Sequence, residues 1–296
     1  MQNISPGSIS IEPITLNFAA SEEIGIAVLR LDKIHPVISG NKWFKLQFYL
    51  KDAIEQGKKT ILTFGGAWSN HIIATAAACQ LNGLSSIGII RGEEAPELSP
   101  TLKQAKELGT QLYFTSREEY VQKKIPGEID ARHCYIINEG GFGELGAKGA
   151  ATIAHDFIKE EYTHICCAVG TGTMIAGLIN ATSPSQQVFG ISVMKNNLSL
   201  EDAVRSLLTD KTRSFELFHE YHFGGYAKHK PGLLDFMNEF YRQTAIPSDF
   251  VYTGKLFYAI KDLIKKNSFP AGSKLLLIHS GGLQGNASVS NRTLIF

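Results

Sequence analysis

The sequence predicts an α/β protein built as two three-layer αβα domains with mostly parallel sheets. Three observations carry that expectation. Short apolar runs of strand length alternate with longer helical stretches at the spacing of βαβ units. Polar, glycine-rich turns follow several of those runs, at the edge where open α/β sheets bind ligands. The 296 residues, 44% hydrophobic and 19% charged, have an ordinary soluble composition and suffice for one large domain or two modest ones.

A net charge of +1 gives no electrostatic case for nucleic acid or an anionic membrane as partner. Cys79, Cys134, Cys166 and Cys167 form no CxxC pair, and three of them lie in apolar segments as small core residues. The opening MQNISPGSIS lacks the basic region and apolar core of a signal peptide. No apolar run approaches the roughly 20 residues a membrane span needs. A cytoplasmic protein is expected.

Residues 1–20 carry Pro6, Gly7 and Pro13 among short apolar stretches and read as an irregular lead-in. Ile24, Ile26 and Val28 alternate, and Leu29 and Leu31 extend the run into a mostly buried strand ending near Asp32. A loop through Pro36 leads to a helix from Lys42 to about Gly57, with Phe44, Leu46, Phe48, Leu50 and Ile54 as its apolar positions. Strand 60–64, helix 70–81, strand 86–90, helix 102–108 and strands 111–115 and 134–138 follow. The bend Asn138-Glu139-Gly140-Gly141-Phe142-Gly143 suits a crossing between domains. Helix 147–159, strand 164–169, helix 174–180 and strand 188–193 form a second series. A less regular stretch then precedes helices 232–244 and 255–266 and strand 274–279. The expected division is a larger domain of residues 1–46 and 146–296, with residues 47–145 as a smaller inserted α/β domain.

The chain is organised around Ser39-Gly40-Asn41-Lys42-Trp43-Phe44-Lys45-Leu46. Gly40 permits a turn that a side chain would obstruct, and Asn41 is a reasonable helix N-cap. Lys42 then sits in the first helical turn, where the dipole disfavours an ammonium. Burial there would lower its pKa and free the amine to form a Schiff base. A lysine alone at a helix start is ordinarily a solvated residue; the turns that follow alter that reading.

Gly65-Gly66-Ala67-Trp68-Ser69-Asn70-His71 joins a strand to a helix. Its glycines allow close backbone approach, and Ser69, Asn70 and the free amides of a helix start suit a carboxylate; the bland alternative is a capped βα turn. No glycine follows two residues after Ser69, so this is no nucleophile elbow, and His71 reads as a supporting residue rather than a base. Gly170-Thr171-Gly172-Thr173-Met174-Ile175-Ala176-Gly177 opens a helix with an anion cradle. Its spacing is not GxGxxG, the strand ending near Met194-Lys195-Asn196 offers no acid for a ribose, and a phosphate monoester fits better than a dinucleotide. Tyr226, after Phe223-Gly224-Gly225, and Tyr252, in Val251-Tyr252-Thr253-Gly254-Lys255, are packing residues or proton donors in a dry site. The last strand runs into His279-Ser280-Gly281-Gly282-Leu283-Gln284-Gly285, where Ser280 could cap a turn or donate to a heterocyclic nitrogen. His219-Glu220-Tyr221-His222 is not HExxH, so no metal site is assigned.

One cofactor explains this set: pyridoxal 5'-phosphate. In this order the motifs resemble the fold-type II pyridoxal-phosphate enzymes, with their tryptophan synthase β-subunit-like fold. Within them the chain looks like the family of 1-aminocyclopropane-1-carboxylate deaminase and D-cysteine desulfhydrase. The matching residues are Gly40, Asn41, Lys42, Lys45 and Leu46; Gly65, Gly66, Ser69 and Asn70; and Gly140, Gly141, Leu145 and Gly146. Gly170 to Thr173, Ala176, Gly177, Tyr226, Val251 to Lys255, His279, Gly281 and Gly282 continue the match, so it covers about residues 29–285.

The resemblance implies that Lys42 carries the cofactor as a Schiff base and moves the substrate proton. It places Asn70 on the ring hydroxyl and Ser69 with its amides on the substrate carboxylate. Gly170, Thr171, Gly172 and Thr173 would cradle the phosphate, and Tyr226 and Tyr252 would face the substrate. In the deaminases a glutamate stands at the position of Thr253 and a leucine at that of Ser280, whereas the desulfhydrases carry hydroxyl residues at both, as here. A hydroxyl leaves the ring nitrogen less protonated, which suits β-elimination from a small amino acid such as D-cysteine better than opening a cyclopropane. Deamination of the cyclopropane acid, racemisation, β-replacement, and cofactor binding without turnover are the alternatives. Phe44, where the family commonly has arginine, Trp68 beside the carboxylate turn, and loops trimmed around Gly92 to Ser99 depart from the pattern. A homodimer is implied by the relatives.

Overall fold

The computed structural model describes residues 6–17, 23–289 and 293–296. The start and the end of the expected lead-in, residues 1–5 and 18–20, lie outside the described residues. Within it, Ile11–Ile14 is a strand, β1, rather than irregular chain, and pairs antiparallel with β2 (Gly25–Arg30). Pro13 is tolerated because β1 is an edge strand, where a missing N–H breaks no inner ladder.

Two sheets organise the molecule. The larger has the order β1-β2-β10-β7-β8-β9, with β7 at His164–Val169, β8 at Gln187–Ser192, β9 at Glu216–Phe218 and β10 at Lys274–His279. All its pairings except β1 with β2 are parallel. The smaller is wholly parallel, β5-β4-β3-β6, from Thr110–Thr115, Ser85–Arg91, Thr60–Gly65 and Cys134–Ile137. Continuous apolar runs such as Ile165-Cys166-Cys167-Ala168-Val169, buried throughout, are what a strand covered on both faces requires.

Helices supply the cover. On one face of the larger sheet, α1 (Asn41–Glu55), α5 (Glu144–Phe157) and α6 (Thr173–Ala181) pack with Leu29, Ile165 and Ile278. On the other, α9 (Thr253–Lys265) and Phe240 of α8 (Pro231–Thr244) pack with Val28, Cys166, Ile191 and Leu277. The smaller sheet is covered by α2 (Asn70–Leu81) and α3 (Pro100–Glu107) on one side. Its far side is closed by Tyr120 of the short α4 (Arg117–Val121) with Ile125 and Ile129 of the following loop. One further short helix, α7 (Leu200–Ser206), fills part of the stretch expected to be irregular.

The topology fixes where a site can form. From β7 the chain runs outward to β8 and β9, while β10 lies beside β7 and turns toward β2. Two loops therefore leave adjacent parallel strands side by side at their C-terminal ends, the arrangement that opens a ligand crevice in doubly wound sheets.

Candidate active site

A cavity of about 370 Å³ lies at those strand ends, within the size range of small-ligand pockets. Its wall takes Lys42 and Lys45 from α1, Ser69 and Asn70 from the β3–α2 turn, Gly170 to Gly172 from the β7–α6 turn, and Ser280 after β10.

The position of Lys42 follows from the turn before it. Gly40 has φ of 66°, and a Cβ there would stand 1.8 Å from the Ser280 carbonyl oxygen. The close approach lets the Asn41 N–H donate to that oxygen at 3.2 Å, joining the start of α1 to the end of β10. Gly40, not Asn41, is the capping residue. The Asn41 side chain is used instead by Lys42, whose Nζ donates to its Oδ1 at 2.8 Å. Burial lowers the Lys42 pKa to about 8, against the partly opposing charge of Asp249.

Ser69 caps α2 as expected, its Oγ accepting from the N–H groups of His71 and Ile72. Ser99 ties this turn down by donating to the Ala67 carbonyl. Asn70 lies on the cavity wall with its Oδ1 buried and unpartnered. A buried acceptor left open costs free energy unless a ligand completes it. His71 pairs through Nε2 with the Thr63 hydroxyl at 2.9 Å, and its pKa is held well below the ordinary value by burial and then by Lys42 and Lys45. It is thus a neutral supporting group, not a base.

At the cradle, Gly172 caps α6 with φ of 87°, and Gly170, Thr171 and Gly172 line the cavity. Thr173 does not: it is fully buried, and its hydroxyl pairs with that of Thr171 at 3.1 Å. It braces the cradle from behind. Lys45 completes the anion site, a residue matched by motif in the sequence but given no role. One helical turn after Lys42, its buried Nζ has among the described residues only the Gly140 carbonyl, at 3.3 Å, as acceptor. Burial, then the Lys42 charge, push its pKa well below the usual range, so an anion beside it would favour its ammonium form.

Tyr226 and Tyr252 face each other edge to face, ring centroids 6.1 Å apart, and Lys42 Nζ lies 5.9 Å from the Tyr252 centroid. Asp249, missed by the sequence reading, and Lys255, matched by motif but given no role, hold them. The Asp249 carboxylate accepts from the N–H groups of Val251, Tyr252 and Thr253. Lys255 donates to the Gly225 carbonyl at 2.8 Å, anchoring the Tyr226 loop to α9.

Thr253 is the residue the structure moves away from its expected place. Its hydroxyl donates to Asp249 Oδ1 at 2.7 Å and accepts from the Asp249 N–H at 2.8 Å, so it faces the carboxylate and not the cavity. Ser280 alone of the two hydroxyls lines the wall. His279 sets its turn, Nε2 donating to the Pro247 carbonyl and Nδ1 accepting from the Gly281 N–H. Phe44 is a core residue packed edge to face on Phe157, and neither it nor Trp68 forms part of the cavity wall.

These residues fit pyridoxal phosphate. A lysine inclined to the free amine, an open amide acceptor on Asn70, and an anion cradle with a second buried lysine stand around one cavity.

Comparison with known proteins agrees with that fit. The family described as pyridoxal-phosphate dependent enzyme matches residues 12–281. A Pyrococcus abyssi protein provisionally named 1-aminocyclopropane-1-carboxylate deaminase is 30% identical over 90% of this chain and 87% of its own length. The mitochondrial bifunctional D-cysteine desulfhydrase/1-aminocyclopropane-1-carboxylate deaminase of Arabidopsis thaliana is 29% identical over 84% of this chain and 70% of its own. A crystal structure described as an ACC deaminase homologue superposes with a TM-score of 0.83 at 27% identity, covering 96% of this chain and 92% of the other.

Proposed function

Because the chain belongs to the pyridoxal-phosphate dependent enzymes, we propose that it is a lyase acting on a small amino acid by β-elimination, in the manner of a D-cysteine desulfhydrase. Pyridoxal phosphate is its cofactor. Cysteine and water would give pyruvate, ammonia and sulfide. The second reading is 1-aminocyclopropane-1-carboxylate deamination, where the cyclopropane acid and water give 2-oxobutyrate and ammonia; the names of its relatives favour it.

The carrying observation is the Lys42 amine, with a pKa of about 8, on the same wall as the open Asn70 acceptor and the Gly170–Gly172 cradle. When bound, pyridoxal phosphate supplies the electron sink that lets bonds at the substrate α- and β-carbons break. Lys42 holds the cofactor and moves the α-proton. Asn70 completes the ring hydroxyl, and the turn after β7 with Lys45 neutralises the phosphate. Ser69, whose own hydroxyl hydrogen is free of its capping role, and the first-turn amides of α2 bind the substrate carboxylate. Tyr226 and Tyr252 exclude water and present hydroxyls to the departing group. Ser280 donates to the ring nitrogen. The Asp249 carboxylate is taken up by the turn that carries Tyr252, which leaves a hydroxyl at that end of the cavity and supports elimination over ring opening. A cytoplasmic homodimer belongs to the same proposal; the dimer is supported by the resemblance to the family.

The test is the visible spectrum of the purified protein and of Lys42→Ala, each titrated with D-cysteine, L-cysteine and the cyclopropane acid. The wild type should show a band that borohydride bleaches, and Lys42→Ala should lack it. Release of sulfide with pyruvate names the first reading and 2-oxobutyrate the second. A colourless wild type that takes up no added cofactor would sink both.

A further inference from the structure

Arg91, the last residue of β4, lines the cavity but has no part in the machinery above. The sheet fixes its place. Ile90 is in register with Gly65, so Arg91 comes level with the start of the carboxylate turn. A Cβ on Gly66 would lie 3.7 Å from its Nη2. The side chain rests on the Tyr120 ring, its guanidinium carbon 5.7 Å from the centroid. Lys123 packs on the same ring at 4.1 Å.

The charges here do not balance. Glu139 also lines the cavity, but its carboxylate is paired with Lys123 at 2.8 Å. Among the described residues Arg91 has no carboxylate within ion-pair distance. One guanidinium, exposed at the mouth of the cavity and resting on an aromatic ring, has no carboxylate partner among the described residues. Tyr226 lines the same cavity.

We propose that Arg91 is a specificity-determining residue that receives a negatively charged group on the substrate's side chain, favouring amino acids with an anionic β- or γ-substituent over neutral isosteres. The class includes carboxylates, sulfinates and the thiolate of cysteine. This rests on the cofactor and amino-acid reading above. In that reading the α-carboxylate is held by neutral donors of the Ser69 turn, which leaves the fork of the guanidinium for a second anion. Arginine suits the task because its planar donors match an oxyanion in two places, and a cation at the mouth of a cavity discriminates charge more than size.

The experiment uses the cofactor-loaded protein and isosteric pairs, aspartate with asparagine and glutamate with glutamine, in both enantiomers. Dissociation constants are read from the shift of the visible band and, independently, from ligand-induced thermal stabilisation. At least one acid should bind ten-fold or more tightly than its amide. In Arg91→Gln that ratio should fall to near one with amide affinity unchanged, and Arg91→Lys should restore part of it. The visible band of each variant reports that the site has folded. Equal binding of acid and amide by the wild type would overturn the proposal. So would an equal loss for acid and amide in Arg91→Gln, which would place the guanidinium on the α-carboxylate. A wild type with no visible band would overturn the cofactor reading itself, a result distinct from a coloured protein without preference.

Discussion

Lys42 shows how much a single residue's surroundings decide. Its amine stands on the cavity wall in the first turn of α1, and burial lowers its pKa to about 8 from the ordinary 10.5, against the opposing charge of Asp249. Below about pH 8 the ammonium dominates and cannot attack a carbonyl; above it the free amine does. Cofactor uptake by the apoprotein should therefore speed up about ten-fold per pH unit up to about pH 8 and then level off, as followed by stopped-flow absorbance. A rate flat from acid to alkaline pH would refute the lowered amine. The folded chain also holds this proton less tightly than the unfolded chain. Its apoprotein should then gain stability as pH rises from about 8 toward 10.5, the sign expected when the unfolded state binds more protons. Lys42, Ser69 and Asn70 were legible as residues because each stands at a turn with its own local signal. The turning of Thr253 toward Asp249 was not, because the two are partners only once the chain folds back at the start of α9.

Among the elements, the long ones were readable, and of the short ones β6 was but several others were not. Helix 70–81 and strands 164–169 and 274–279 stand at the expected residues, since apolar runs bounded by glycine and polar turns state their own limits. β1, β9, α4 and α7 were missed. Each is too short to show a period, and each exists because an edge or face of a larger layer is there to receive it. The junction of α1 with β10 makes the sharpest demand on sequence. In Gly40→Ala a methyl group would occupy the space of the Ser280 carbonyl at a backbone angle of 66°, so both the close approach and the conformation are lost. Destabilisation of about 3 kcal/mol or more is expected, measured by urea unfolding, together with a weakened visible band. A variant as stable as the wild type would show that α1 and β10 do not depend on this contact.

Across the whole molecule, the cavity draws its wall from the C-terminal ends of strands in both sheets: the turn after β3 and Arg91 from one, the turns after β7 and β10 from the other. A ligand that bridges them should stabilise the entire chain. At a hundred-fold excess over its dissociation constant, reversibly bound cofactor would add about 2.7 kcal/mol. Differential scanning calorimetry should show a higher midpoint for the loaded protein, and the gain should shrink in Lys42→Ala; an unchanged midpoint would show that the cavity is not where the cofactor binds. The sequence by itself determined the alternation of strands and helices, the glycine turns and the residue types of a pyridoxal-phosphate site, because these depend on neighbours within a few positions. Only the tertiary structure decided that Thr173 and Thr253 stand behind the wall, that Lys45, Asp249 and Lys255 support it, and that Arg91 keeps an unanswered charge at its mouth. Those outcomes depend on which groups meet once the chain has folded, from Thr171 and Thr173 two residues apart to Lys45 and Gly140 95 residues apart, and on which partners are already taken when they do.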